Sequence, residues 1–272
     1  MTARFFTTLL MFAACALCIN HAEASLSVSV DKKLIPINAF YKGNVLTISG
    51  TVERGKDVVV KITSPQDSES FMIKAKFFHL FWMNKDKVDV SKVNSVYMLY
   101  SSGDMDGLLS SDEKNKYLLG LKAIENNVEI SGGSDKDMLF KEFIKVKEEG
   151  KLYSVTGNKV VMMPAKDNNN SFWLSVNMPY QVPIGSYNID VYAVGNHMVQ
   201  EAVSSEVTIE PVGMVLKISD MAMAHGGIYG MFAILIALFA GYTVTPVIAL
   251  SKKILIMAIT LPKSVVGTHG VR

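Results

Sequence analysis

The feature that most constrains this chain is a run of 25 residues without a single charge, Gly226 to Leu250, followed at once by Ser251-Lys252-Lys253. As a helix rising 1.5 Å per residue it would reach roughly 37 Å, more than the ~30 Å of a bilayer's hydrocarbon core. Such a segment spans a membrane with some tilt, or with a bend at Pro246. Lys252, Lys253, Lys263 and Arg272 follow it, whereas Lys217 on the preceding flank is opposed by Glu210 and Asp220. That lysine and arginine bias places the C-terminus in the cytoplasm. Ile254 to Leu261 is a second apolar run, too short to span, that reads either as a frayed tail or as an interfacial segment.

The other end gives a matching address. Residues 1–24 have the form of a secretory signal: Arg4, then the uncharged apolar stretch Phe5 to Ile19, then Ala22-Glu23-Ala24 before Ser25. The expected location is the inner (plasma) membrane, with one span and the N-terminal domain outside the cytoplasm. Both cysteines, Cys15 and Cys18, fall inside that leader. The alternatives to simple cleavage are an uncleaved N-terminal anchor and lipidation at Cys15. The exported part therefore has no thiol and must hold by packing, as a domain of well over 100 residues can. With 27 Lys+Arg against 25 Asp+Glu, no pull toward nucleic acid is expected.

Between the two ends, residues 25–212 read as an exported, mainly β domain. Val45 to Ser49 is β-branched; Arg54-Gly55-Lys56-Asp57 turns into Val58 to Ile62, which Ser64-Pro65 closes. Phe71 to Met83, Val93 to Tyr100, Leu152 to Met163, Phe172 to Val176, Ser186 to Val194 and Val199 to Ile209 complete the strands. Tyr187, Ile189, Val191 and Ala193 alternate with Asn188, Asp190 and Tyr192, the signature of a half-buried strand. Turn signals every 8–12 residues favour an immunoglobulin-like β-sandwich. An α-helical insertion interrupts it over about 104–150. There Ser110 and Glu113 form a capping box, with Tyr117, Leu121 and Ile124 on one face as far as Asn126-Asn127. Ser134-x-x-Asp137 caps a second helix with Leu139, Phe143 and Val146 as its stripe and Gly150 as its stop. Residues 213–225 read as a juxtamembrane linker, 226–250 as the transmembrane helix and 251–272 as a cytoplasmic tail.

Trp82-Met83-Asn84, Tyr97 to Ser102, Pro183-x-Gly185-x-Tyr187 and His225-Gly226, in that order along the chain, resemble the Alph_Pro_TM family of transmembrane proteins first described in alphaproteobacteria. The resemblance implies a signal, an exported β-rich region and one C-terminal span. That family has no established activity, and its genes often lie beside sulfite-exporter-like membrane proteins. An accessory role beside such a transporter is what the resemblance implies.

Three constellations carry candidate function. Gly226, Gly230, Ala233, Ala237, Ala240 and Gly241 fall within about 100° of one helix face, two small-x-x-x-small ladders that let another helix approach closely in lipid. Thr243 and Thr245 are placed to satisfy backbone groups freed by Pro246. Ser102 to Glu113 overlays a calcium loop, with Asp104, Asp106 and Glu113 as carboxylate ligands and Gly107 at the turn. Met221-x-Met223-x-His225 offers two thioethers and an imidazole suited to Cu(I), weighed against plain apolar padding. No cofactor is otherwise called for. His79, His197, His225 and His269 are scattered, and neither a Gly-x-Ser-x-Gly elbow nor an acid–base pair can be named, so no enzyme is expected. His79 and the aromatic cluster Phe77 to Trp82 read as packed core, an exposed patch there being the mark of an interface. The leading expectation is an envelope interaction module whose partner is another integral membrane or envelope protein; the rival is a Ca2+- or Cu+-binding receptor.

Overall fold

The computed structural model describes residues 26–77, 81–132, 135–165 and 169–260. The stretch read as a signal, with Cys15 and Cys18, and also His79, Ser134 and the residues beyond Thr260 lie outside them. The chain divides into two compact units, one ending at Glu210 and one beginning at Pro211.

The first unit is mainly β. Its strands are β1 (Ser27–Val30), β2 (Leu34–Ile37), β3 (Asn44–Glu53), β4 (Asp57–Thr63), β5 (Gln66–Phe77), β6 (Phe81–Asn94) and β7 (Tyr97–Ser101), then β8 (Glu129–Ser131), β9 (Tyr153–Thr156), β10 (Val161–Pro164), β11 (Asn169–Met178), β12 (Gly185–Gly195) and β13 (Met198–Pro211). They form a four-stranded sheet ordered β1-β3-β11-β10, a six-stranded sheet ordered β2-β13-β12-β4-β7-β9 and a three-stranded sheet ordered β5-β6-β8. Four short helices sit between β7 and β9: α1 (Met105–Leu108), α2 (Ser111–Tyr117), α3 (Leu121–Glu125) and α4 (Lys136–Glu149).

Within the six-stranded sheet, β4 and β7 and the later part of β12 are buried on both faces. On one face Val58, Val60 and Ile62 of β4 and Tyr187, Ile189, Val191 and Ala193 of β12 share a core with Leu46, Ile48, Phe172 and Leu174 of the four-stranded sheet. On the other, Val59, Leu99, Tyr153, Tyr192 and Val194 share a second core with Val88 and Val90 of β6 and with Phe140, Phe143 and Ile144 of α4. Because side chains alternate along a strand, β4 sends its valines both ways, and its run Val58-Val59-Val60 is buried throughout. The half-buried reading of β12 holds for Asn188 and fails at Tyr192, which the second core covers together with Val194.

Several boundaries differ from expectation for local reasons. The stretch expected as one strand near residue 71 is a hairpin, β5 paired with β6 from Gln66↔Asn94 to Phe77↔Phe81. Val93 to Tyr100 breaks between Asn94 and Tyr97, where Ser64 Oγ accepts from Val96 N (3.1 Å). Leu152 to Met163 breaks around Asn158, whose φ is 54°. The helix expected from Ser110 to Asn127 is two, because Leu118 turns left-handed at φ 52°. The cap of α4 is Asp135, whose carboxylate accepts from Met138 N at 3.0 Å, and not the Ser134-x-x-Asp137 pattern. Its buried face is Phe140, Phe143, Ile144 and Lys147, so Val146 points to solvent. Gly150 does end the helix, but with ordinary helical angles; the positive φ falls on Lys151.

The second unit comprises α5 (Met214–Ala224) and α6 (Gly226–Thr260). The expected linker 213–225 is thus largely helical. The 35 residues of α6 continue through Pro246 and through the second apolar run, giving one rod of about 52 Å where a 25-residue span and a separate short segment were expected.

Candidate functional site

Within α6 the stretch Gly226–Val244 is long and apolar enough to cross a membrane, with mean hydropathy 1.9 and none of it buried. Its outward residues include Ile234, Leu235, Ile236, Leu238 and Phe239, all more than half exposed. In water such a surface would be costly; in lipid it is solvated. The small-residue set Gly226, Gly230, Ala233, Ala237, Ala240 and Gly241 lies entirely in this helix. Nothing comes within 4 Å of where a Cβ would sit at Gly226, Gly230 or Gly241. Thr243 donates to the carbonyls of Phe239 (3.0 Å) and Ala240 (3.1 Å), the i−4 and i−3 positions. The carbonyl that Pro246 would otherwise engage is that of Tyr242, so Thr243 stabilises the turn before the proline and does not replace the lost bond. The side chain of Thr245 lies outside the described residues.

His225 separates the two helices, with φ −135° and ψ 52°. Its N–H donates to Met221 O (3.0 Å), and its carbonyl accepts from Tyr229 N (3.0 Å). Met221, Met223 and His225 therefore do not sit on one continuous helix, and Met223 is 87% exposed.

The calcium-loop residues are occupied elsewhere. Ser102 Oγ donates to Asp57 Oδ1 (2.8 Å) and accepts from Val58 N (3.0 Å), a cross-strand duty at the end of β7. Asp104 begins α1 without a side-chain cap bond. Asp106 pairs with Lys114 Nζ at 2.7 Å, and that ammonium's hydrogen bond holds its carboxyl below the usual carboxylate range. Glu113 points the other way: its Oε2 accepts from Val199 N (3.0 Å), and its Oε1 lies 3.6 Å from Lys116 Nζ. The three carboxylates do not converge, and among the described residues no three His, Cys, Asp or Glu side chains are grouped to hold a metal ion. The capping box is half formed. Ser110 Oγ accepts from Glu113 N (3.3 Å), but Ser110 N donates to His197 O (3.1 Å). Helix α2 is thereby clamped to the β12–β13 hairpin, whose turn residues Asn196 and His197 both have positive φ.

One buried and one half-buried lysine were invisible to sequence reasoning. Lys147 of α4 is 5% exposed, bonds Glu69 Oε1 (2.6 Å) and Ser95 O (3.1 Å), and lies over the rings of Phe143 and Tyr153. Lys61 of β4 bonds Tyr117 O (3.0 Å) and pairs with Asp190 (3.4 Å); burial lowers its pKa, which Asp190 partly offsets. Only a tertiary contact distinguishes either from a surface lysine.

Of the aromatic cluster read as core, the described residues Phe77, Phe81 and Trp82 lie at the ends of the ribbon strands β5 and β6. Phe81 is 67% and Met83 53% exposed, and exposed lysines 74, 76 and 87 accompany them. The available signal was those lysines, which seldom alternate through a buried strand. Between the ribbon and α4 runs an open groove of ≈ 530 Å³, lined by Ile73, Val88, Met138, Leu139 and Val146 among others.

Among the described residues, a β-rich body and one apolar helix long enough to cross a membrane are the features of a transmembrane protein class. The family model described as "Putative transmembrane protein (Alph_Pro_TM)" matches residues 25–249, and the chain belongs to that family. No curated protein and no solved structure matches it.

Proposed function

We propose that the protein is a membrane-anchored interaction module, an accessory subunit of an envelope or transporter complex, with no catalytic role of its own. In this reading the β-rich body works outside the cytoplasm, the tail after α6 is cytoplasmic, and the membrane is the inner one. The observation that carries it is the Gly226 to Gly241 stripe on an otherwise lipid-facing helix, where a second helix can approach backbone to backbone. The gene neighbourhood implied by the family resemblance supports a sulfite-exporter-like transporter as that partner. The body suits a docking role as an immunoglobulin-type sandwich, a reading supported by the strand orders β1-β3-β11-β10 and β2-β13-β12-β4-β7. These correspond to A-B-E-D facing A′-G-F-C-C′. Tyr187 adds a corner bond, its hydroxyl donating to Pro183 O (2.6 Å).

Co-purification in mild detergent tests the association. Gly230→Leu with Ala237→Leu should release the partner at least tenfold more readily than the natural chain; an unchanged complex overturns the stripe's role. Orientation is read separately, from a cysteine placed by Ser264→Cys in a chain carrying Cys15→Ser and Cys18→Ser. A reagent unable to cross the membrane should fail to label it in intact cells, and labelling would reverse the topology.

A further inference from the structure

Strands β5 and β6, of 12 and 14 residues, make a ribbon roughly 40 Å long at about 3.3 Å per residue. Only its root is buried: Phe71 and Ile73 pack on the second core, and Val88, Val90 and Val93 lie inside it. Side chains alternate, so positions 71, 73, 75 and 77 share one parity. The register then sets Met83 opposite position 75 and Phe81 opposite position 77. On that face Asp86 lies opposite Ile73; past it, beyond the register shift after Ile73, Met83 and Phe81 stand in the open. The other parity of β5 carries Lys74 and Lys76. From Ser70 to Lys85 the sequence has no Asp or Glu, and residues 74–87 hold four lysines against one aspartate.

A protein partner would be met by an apolar patch with a mixed polar rim. Beyond Asp86 this ribbon instead has exposed Phe81 and Met83 on one face and Lys74 and Lys76 on the other, with no carboxylate from residue 74 to 85, while nearer the root Lys87 pairs with Asp89 (2.9 Å). That composition fits the boundary of a bilayer, where apolar rings enter the headgroup layer, lysine stems extend to the phosphates and anionic lipid attracts them. The chain also carries its own candidate span, Gly226–Val244, so every copy of the ribbon is tethered to a bilayer.

We propose that the β5–β6 ribbon is a lipid-docking element, its Phe81–Met83 face entering the headgroup boundary of an anionic bilayer and its lysines meeting the phosphates. This goes beyond the reading above: it needs the membrane tether but no protein partner.

The chain has two tryptophans, Trp82 in the ribbon and Trp173 in β11, and the register sets Trp82 opposite Lys76, on the parity away from Phe81 and Met83. Trp82→Phe and Trp173→Phe therefore remove both, and Met83→Trp puts a single reporter on the proposed face. The full-length triple variant is reconstituted into phosphatidylcholine–phosphatidylglycerol vesicles with and without brominated acyl chains. The single indole's emission should be blue-shifted and quenched at least twofold by the brominated lipid. Quenching should weaken when phosphatidylglycerol is omitted or salt is raised, and should disappear when Phe81→Asp is added. Phe81 and Met83 are both exposed, so an unchanged circular dichroism spectrum serves as the check on folding. Emission equally bright in plain and brominated vesicles overturns the proposal, as does quenching that survives Phe81→Asp. A shift that depends on protein concentration and not on lipid also overturns it, since it would report a second copy on the ribbon. None of these readouts depends on the Gly230/Ala237 association.

Discussion

At the scale of single residues, the second core is unusual in admitting an ammonium. Lys147 has its charge met by Glu69, its remaining donors by Ser95 O and two ring faces, and its stem by Phe143. Removing one partner strands the other, so Lys147→Met should cost about 2 kcal/mol, read by chemical denaturation of the full chain. Adding Glu69→Gln should recover part of that loss. Four buried phenols, Tyr97, Tyr153, Tyr187 and Tyr192, all have pKa values pushed up, by burial first, from an ordinary 10.0. A group whose folded pKa is raised stabilises fully below its unfolded pKa and loses that contribution as pH climbs toward the folded value. Lys61 works oppositely: its lowered pKa makes its contribution grow as pH approaches 10.5. Four phenols outweigh one amine, so stability should fall steeply above about pH 10. Phenolate absorbance should appear together with loss of structure; phenolate formed while the fold stays intact would contradict these burials.

At the scale of elements, β3 owes its place between two neighbours to one missing side chain. Gly50 faces inward with Leu46 and Ile48, and a Cβ there would come within 1.9 Å of Ser27 O and 2.7 Å of the Phe172 ring. Backbone on one side and a packed ring on the other leave no room to yield. Gly50→Ala should destabilise the body by about 3 kcal/mol, at the upper end of overpacking costs. Loss of β1 pairing would appear as faster amide exchange at Ser29 and Asp31, whose N–H groups face β3; an unaffected exchange rate would show that β1 tolerates the intrusion. Strands such as β3, β4, β11, β12 and β13 were legible because alternation and turn residues agree with the final packing. Those that β7, β9 and β10 divide were not, since what breaks the runs is a bond from a distant segment, as at Ser64 with Val96. The stripe of α4 was misread by one position for a related reason: Lys147, a residue that pattern reading places in water, belongs to the buried face.

At the scale of the whole molecule, the membrane segment was the most legible part, because solvation of an uncharged run depends on composition and not on tertiary contacts. Leu235 lies at the middle of Gly226–Val244 and is 54% exposed. Leu235→Lys should raise the insertion cost by roughly 3 kcal/mol and shift a large part of the chain into the fraction released by alkaline carbonate; full retention would show the span to be set elsewhere in α6. The carboxylates of the calcium-loop pattern are not brought together, for the opposite reason. Spacing along a loop says nothing about where side chains are drawn, and here Glu113 is pulled to Val199 and Asp106 to Lys114. The ribbon escaped notice because its aromatic density imitates a core strand.

The pairing of β7 with β9 is parallel, Tyr97↔Tyr153 to Tyr100↔Thr156. Two parallel neighbours must be joined by a connection that travels the length of the sheet and returns, and here residues 102–152 are that journey. The helices are therefore a bridge holding the sheet's far edge in register, and not a cassette that recombination could lift out or swap. Shortening that connection would leave β9 unable to reach its seat, which predicts that relatives vary in the helices' sequences far more readily than in the distance they cover.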